Sequence, residues 1–237
     1  MASNDYVAKS AYRGDVAARY EEQRVGEATW SEEQAFIEAW VDTLPEGSRV
    51  LDIPTGTGRF LSFFKRRSLR IFAWDISEDM LGEVRRLYPE AEAAGWDIRK
   101  GDAEHLDLPV DSVDYVLSWR FFHLIPVPVM DKVLREFHRV CAGTIVIQVF
   151  AVRPVGSRKS AWVAFKDVVR PWLRRLRLIR SERPWAHITS YSHREEELLG
   201  AFSRAGMIVC STQTSGFYDG LPSRVYFLRR RGAGASA

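Results

Sequence analysis

The stretch Arg49-Val50-Leu51-Asp52-Ile53-Pro54-Thr55-Gly56-Thr57-Gly58-Arg59-Phe60 constrains this chain more than any other. An apolar run ends on a carboxylate, a tight turn of small residues follows, and an amphipathic run over 59–65 comes next. That succession predicts strand, glycine-rich turn, helix. In an open α/β sheet such a turn lies at the carboxyl end of the first strand, where ligands bind in the crevice. Gly56 and Gly58 lack a Cβ, so the backbone there can bend tightly and approach a ligand. The helix N-terminus then presents N–H groups and a partial positive charge. Two other phosphate-binding signatures are excluded. Counted from Gly56, a dinucleotide fingerprint G-x-G-x-x-G needs glycine where Leu61 stands, and the loop G-x-x-x-x-G-K-[ST] does not occur.

The rest of the chain agrees with one α/β domain, for which 237 residues and an apolar content of 46% suffice. A net charge of +3 argues against a nucleic-acid partner for the chain as a whole. Cys141 and Cys210 form no disulfide framework and point to a reducing, cytoplasmic setting. Residues 1–5 lack a basic-then-apolar leader pattern, and no apolar run approaches the ~18 residues that span a bilayer. No metal site is expected, and nothing specifies an oligomeric state.

Ahead of the turn, Ser31 and the acidic residues after it mark a helix start, with Ala35, Phe36, Ala39, Trp40 and Leu44 as the stripe facing the sheet. A second strand over 70–74 ends in Asp75, 23 residues past Asp52. A carboxylate about 20 residues beyond such a turn is where a ribose hydroxyl pair is held. Ser77 can cap the following helix by itself, which leaves Asp75 for the ligand. A third strand precedes Gly101-Asp102-Ala103-Glu104, and a fourth, 113–119, runs into Arg120-Phe121-Phe122-His123. A helix over 127–140 and a fifth strand over 143–150 follow, and 207–212 and 224–228 read as the last two strands.

In order and spacing, four segments resemble the class I S-adenosylmethionine (SAM) methyltransferases, and most of all the small-molecule and quinone-biosynthesis types. They are Asp52 to Gly58, the strand ending in Asp75, Gly101 to Glu104, and the strand Asp114-Tyr115-Val116-Leu117, and the resemblance spans about residues 48–150. The family pattern at the turn is an acidic residue, a spacer and G-x-G-x-G. Pro54 replaces the first glycine, as in part of the family, and stiffens the turn without offering an N–H. The resemblance implies an α/β fold, a Rossmann-like seven-stranded sheet with helices on both faces and its last strand antiparallel. It implies a helical lid over 1–45, a methyltransferase domain over 46–230 with a basic cap insertion at 151–190, and a disordered tail over 231–237. SAM is the implied cofactor. Asp52, Pro54, Thr55, Gly56, Thr57 and Gly58 hold it at the turn. Asp75 and Ile76 hold the ribose, and Met80 makes an apolar contact. Asp102, Ala103 and Glu104 surround the adenine, Ser118 stands at the fourth strand's tip, and Tyr20 covers the site from the lid.

Chemistry then falls between Trp119 and Leu124. The string Ser118-Trp119-Arg120-Phe121 lacks the Asn/Asp-Pro-Pro-aromatic of enzymes that methylate base amino groups, and the Pro-Cys of those that methylate base C5. A small-molecule acceptor is expected, touched by Trp119 and Arg120, with O- or N-methylation favoured. His123 is the candidate general base, because histidine's ordinary pKa lies nearest neutrality. Its neighbours Phe121, Phe122, Leu124 and Ile125 equally suit a packed, hydrogen-bonded histidine. Residues 153–183 hold ten basic side chains against Asp167 and Glu182. Three readings stand for this insertion: a solvated face of a cap helix; a site for an acidic or carrier-linked acceptor, with Arg174 and Arg175 as contacts; or peripheral docking on an anionic membrane. Carbon methylation of a quinone or aromatic precursor shares the same cofactor site. A non-catalytic SAM-binding partner protein shares it too. RNA methylation is a further reading, and it predicts steeply salt-dependent RNA binding.

Overall fold

The computed structural model describes Lys9, Tyr12, residues 14–18, Tyr20, and residues 29–155, 190–218 and 220–232. The proposed contacts Arg174 and Arg175, most of the basic insertion and the end of the tail lie outside these residues. Seven strands form one sheet: β1 (Arg49–Asp52), β2 (Arg70–Asp75), β3 (Asp97–Lys100), β4 (Val113–Ser118), β5 (Cys141–Val149), β6 (Met207–Tyr218) and β7 (Leu221–Arg230). Their order is β3-β2-β1-β4-β5-β7-β6. The first five are mutually parallel, and β7 runs antiparallel between β5 and β6. The described helices are α1 (Asp15–Ala18), α2 (Trp30–Asp42), α3 (Leu61–Arg66), α4 (Glu78–Leu87), α5 (Val127–Val140) and α6 (Glu195–Arg204).

Strand alternation builds a core on each face. Leu51, Val116, Ile145 and Ile147 pack with Val133 and Phe137 of α5 and Phe202 of α6. Their neighbours Val50, Leu117 and Val146 pack on the other side with Ile37 and Val41 of α2 and Phe64 of α3. Helices therefore cover both faces, as the resemblance implied. β1 lies between β2 and β4, so the chain leaves it in one direction and returns on the other side. That switch point opens a crevice at the strand tips.

Two expectations need correction. The buried stripe of α2 is Glu33, Ile37, Trp40 and Val41, while Ala35 and Ala39 face solvent. Ile37 and Val41 remove more apolar area from water than two alanines do, and Glu33 is drawn inward by two arginines described below. The last two strands are also longer than the apolar pattern indicated. β6 is an edge strand whose polar stretch 211–214 faces outward, so the apolar run that opens it does not continue along its length.

Candidate active site

Asp75, at the tip of β2, organises the turn after β1. Its Oδ2 accepts the Gly56 N–H at 2.9 Å and its Oδ1 accepts the Ser77 N–H at 2.8 Å. The Ile76 N–H also bonds the carboxylate; with about four acceptor positions, it retains capacity for a ligand hydroxyl. Ser77 caps α4 as expected, its hydroxyl accepting the Met80 N–H. Asp52 is buried, and its Oδ2 accepts the Thr55 hydroxyl at 2.8 Å. The two glycines have different tasks. Gly56 sits at φ +58° with open space where a Cβ would stand, which lets a ligand approach the backbone. At Gly58, φ +82°, a Cβ would lie 3.0 Å from Leu61 and 3.2 Å from Val84. Gly58 therefore serves the packing of α3 on α4.

Burial raises both carboxyls. Asp52 is pushed to about 7, chiefly by desolvation, with the Thr55 hydrogen bond opposing and the nearby Asp75 charge adding. Asp75 is pushed to about 6 by desolvation, against the pull of the Ser77 and Gly56 N–H groups. Between the unfolded carboxyl range, about 4, and these values, the folded state binds more protons than the unfolded one. Both residues therefore favour the fold at acid pH and lose that contribution as pH rises toward 7.

These groups line a cavity of about 880 Å³, its open mouth included. Of the residues singled out in the sequence, Tyr20, Asp52, Pro54, Thr55, Gly56, Thr57, Asp75, Ile76, Met80, Trp119 and Arg120 line it. Gly58, Ser118, Asp102, Ala103, Glu104 and His123 are not among the lining residues, each for a local reason. Gly58 is packed against α3 and α4, as above. Ser118 is fully buried in β4, and Ala103 joins the core beside Leu106. Lys9, itself a lining residue, pairs with Asp102 at 2.8 Å and Glu104 at 3.0 Å, and Lys132 reaches Glu104 at 3.1 Å. His123 lies in the 3-10 turn Phe122–Leu124, between the lining residues Phe121 and Leu124. Its ring packs 4.7 Å from that of Phe150, and its carbonyl accepts the Tyr191 N–H at 2.7 Å.

Residues before the main domain close over one wall. The Ser77 hydroxyl donates to the Tyr12 carbonyl, and the Gly14 N–H donates to Asp79 at 2.7 Å. The Tyr12 and Tyr20 rings meet edge-on at 5.7 Å. The residues flanking the basic insertion are fastened to one another and to the loop after β4. The Arg153 N–H donates to the His193 carbonyl at 2.9 Å, and the Ser192 hydroxyl donates to the Ala151 carbonyl at 3.0 Å. His193 is buried, and its Nε2 lies 3.0 Å from the Phe122 carbonyl and 3.1 Å from the Ile125 carbonyl. Carbonyls only accept, so Nε2 carries the proton. Burial lowers the His193 pKa.

Sequence reasoning missed Glu33 altogether. This fully buried carboxylate lies 2.7 Å from Arg59 Nη1, 2.8 Å from Arg120 Nη2 and 2.9 Å from Gln148 Nε2. Burial pushes its pKa up, against Arg59 and Gln148. Two permanently charged guanidiniums at contact distance favour its ionised form against that burial. Arg59 also donates to Gln34 at 3.0 Å and to the Trp30 carbonyl at 2.9 Å, and stacks 3.6 Å over the Trp30 ring. It thereby ties α2 to the glycine turn. The available signal was positional: Glu33 stands four residues before Ile37, on the face that becomes buried.

A family model described as a methyltransferase domain matches residues 50–143, which contain the turn, Asp75 and the tip of β4. Phosphatidylethanolamine N-methyltransferase of Cereibacter sphaeroides is 32% identical over 132 residues, 52% of this chain and 62% of that protein. Demethylmenaquinone methyltransferase of Thermobifida fusca (strain YX) is 33% identical over 133 residues, 54% and 55% respectively. The chain thus spans less than two thirds of the length of these relatives. Magnesium protoporphyrin IX methyltransferase from Synechocystis PCC 6803, solved with bound SAH, aligns with a TM-score of 0.65 at 14% identity, over 94% of this chain and 98% of that one. At that identity the likeness establishes the fold. The segment similar to a methyltransferase domain thus holds the glycine turn and the strand tips that frame the cavity, on a fold shared with a SAH-binding methyltransferase.

Proposed function

We propose that this protein transfers a methyl group from SAM to a hydroxyl or amine of a small molecule. The observation that carries this reading is the Asp75–Gly56 clamp: a buried carboxylate with acceptor capacity beside a glycine open to the cavity. The cofactor fits these residues. Asp75 accepts from ribose hydroxyls, Gly56 admits the chain close to the backbone, and Met80 and Ile76 supply apolar surface. When bound, SAM supplies a sulfonium methyl carbon that the acceptor lone pair attacks in line, while the C–S bonding electrons leave with sulfur as a neutral thioether. The chain's own task is to align the acceptor at Trp119 and Arg120 and to exclude water. The name of the Cereibacter relative supports nitrogen as the atom methylated. Incubation of metabolite extract with methyl-labelled SAM tests the reading, and recovery of no labelled product would defeat it. The labelled atom in the product separates O-, N- and C-methylation.

Ribose hydroxyls donate to the ionised form of Asp75 and favour it, so cofactor binding displaces a proton. Affinity for the demethylated product S-adenosylhomocysteine (SAH) is expected to rise as pH increases through about 6 and to level off above it. Calorimetry in buffers of different ionisation enthalpy measures the released proton. The release is expected to disappear in Asp75→Asn.

For a hydroxyl acceptor, His123 takes the proton. Its place between Phe121 and Leu124 of the cavity wall supports this role. His123→Ala is then expected to lower kcat ~100-fold at saturating SAM and to erase the acid limb of the pH profile. A near-normal rate with an unchanged profile would remove His123 from the chemistry and leave alignment as the source of catalysis.

A further inference from the structure

We propose that Arg120, held in place by Glu33, receives a negatively charged group on the methyl acceptor, so that the acceptor is an apolar molecule with one carboxylate or phosphate head. The proposal rests on the methyltransferase reading and adds a substrate class to it.

Arg120 comes two residues past the end of β4 and lines the cavity beside Trp119 and Phe121. Only 8% of its surface is exposed. A guanidinium in so dry a place requires a countercharge. Glu33 supplies it along one edge, 3.0 Å from Nε and 2.8 Å from Nη2. Glu33 in turn is gripped from three separate elements: Arg59 after the glycine turn, Arg120 after β4 and Gln148 on β5. Gln148 is itself fastened to Ser215 of β6 at 3.0 Å. The carboxylate therefore cannot swing aside without breaking contacts to several strands. The Arg120 backbone stands at φ +54°, a region few non-glycine residues occupy. Its guanidinium also lies 5.0 Å over the Phe150 ring.

An arginine fixed in this way has already lost its rotamer freedom, so an anion that binds it bears little of that ordering penalty. A buried ion pair serving stability alone is commonly replaceable by apolar residues. This pair instead stands in the wall of the ligand cavity, just beyond the strand tip where methyl and acceptor meet. The walls around it are apolar, from Phe60, Trp119, Phe121 and Leu124. Arg59 and Lys9 also line the cavity, but Arg59 is taken up by Glu33, Gln34 and the Trp30 carbonyl and Lys9 by Asp102 and Glu104, so the apolar walls beside Arg120 select an apolar body with one anionic head. Glu33 is a positioning residue in this scheme, and Arg120 touches the substrate.

The test titrates octanoate, octyl phosphate and the neutral octanamide into SAH-loaded full-length protein by calorimetry. Both anions are expected to bind at least about tenfold more tightly than the amide. Arg120→Gln is expected to abolish that preference and leave SAH affinity unchanged, and Arg120→Lys to restore part of it. Glu33→Gln is expected to weaken the preference without affecting SAH. If Arg120→Gln does not fold, the double variant Glu33→Gln/Arg120→Gln removes both buried charges and gives the same readout. Equal binding of octanoate and octanamide to the native protein overturns the proposal, as does a preference that survives in Arg120→Gln. Loss of SAH affinity in Arg120→Gln, with 5′-methylthioadenosine binding kept, assigns the guanidinium to the cofactor's own carboxylate and also overturns it. Native protein that binds no SAH defeats the methyltransferase reading instead, and the same titrations without SAH still decide the anion seat.

Discussion

Asp75→Ala is expected to weaken SAM and SAH binding by about 2–4 kcal/mol, roughly 30- to 1,000-fold. Two effects add. The ribose loses a charged acceptor, and a hydrogen bond to a charged group is worth about 1.5–3 kcal/mol. The Gly56 and Ser77 N–H groups also lose their shared partner, so the turn that cradles the ligand is released from β2. Calorimetric titration with SAH measures the loss, and thermal unfolding confirms that the variant remains folded. Asp75→Asn separates the two effects, because its amide oxygen can still accept one of the N–H groups. A folded Asp75→Ala protein with native SAH affinity would remove Asp75 from the cofactor site.

The largest stability effect is expected at Glu33. Glu33→Ala leaves the Arg59 and Arg120 guanidiniums buried without their carboxylate, and it strips the Gln148 amide of an acceptor. Breaking a buried pair by removing one partner destabilises by about 3–5 kcal/mol, because a charge remains in a dry site. Urea unfolding should show a midpoint displaced far below that of the native protein. Glu33→Gln keeps the volume and an acceptor for Gln148 and should fall between the two. The exposed pair of Lys65 and Glu90, at 2.5 Å, provides the contrast. Water already solvates both of its partners, so Glu90→Ala should leave the midpoint where it was. An unmoved midpoint in Glu33→Ala would mean that the cluster contributes nothing to the fold.

Glu33 also explains why part of the site could not be read from the chain. A glutamate in the first turn of a helix reads as a solvated, dipole-favoured residue. What buries it is Arg120, 87 positions away, and Gln148, 115 positions away. Local pattern carries no trace of such partners. Lys9 on Asp102 and Glu104 is the same kind of event, as is the anchoring of His193 on the carbonyls of Phe122 and Ile125. In each case a polar group of ordinary appearance acquires its role from a distant segment.

By itself the sequence determined what depends on neighbours along the chain. The small-residue turn between Asp52 and Phe60, the carboxylate closing β2, the Ser77 cap and the apolar parallel strands are short-range features. Backbone sterics, capping and hydrophobic period specify them within a few residues. Those local features also carried the place of the crevice, at the carboxyl end of the first strand. Tertiary structure alone decided which polar groups face that crevice and which are consumed elsewhere. It turned Arg120 and Arg59 onto one buried carboxylate, set Gly58 to packing instead of ligand approach, and gave Asp102 a lysine partner. The physical reason is that a buried charge must find a countercharge wherever the fold supplies one, and that partner can stand anywhere in the sequence.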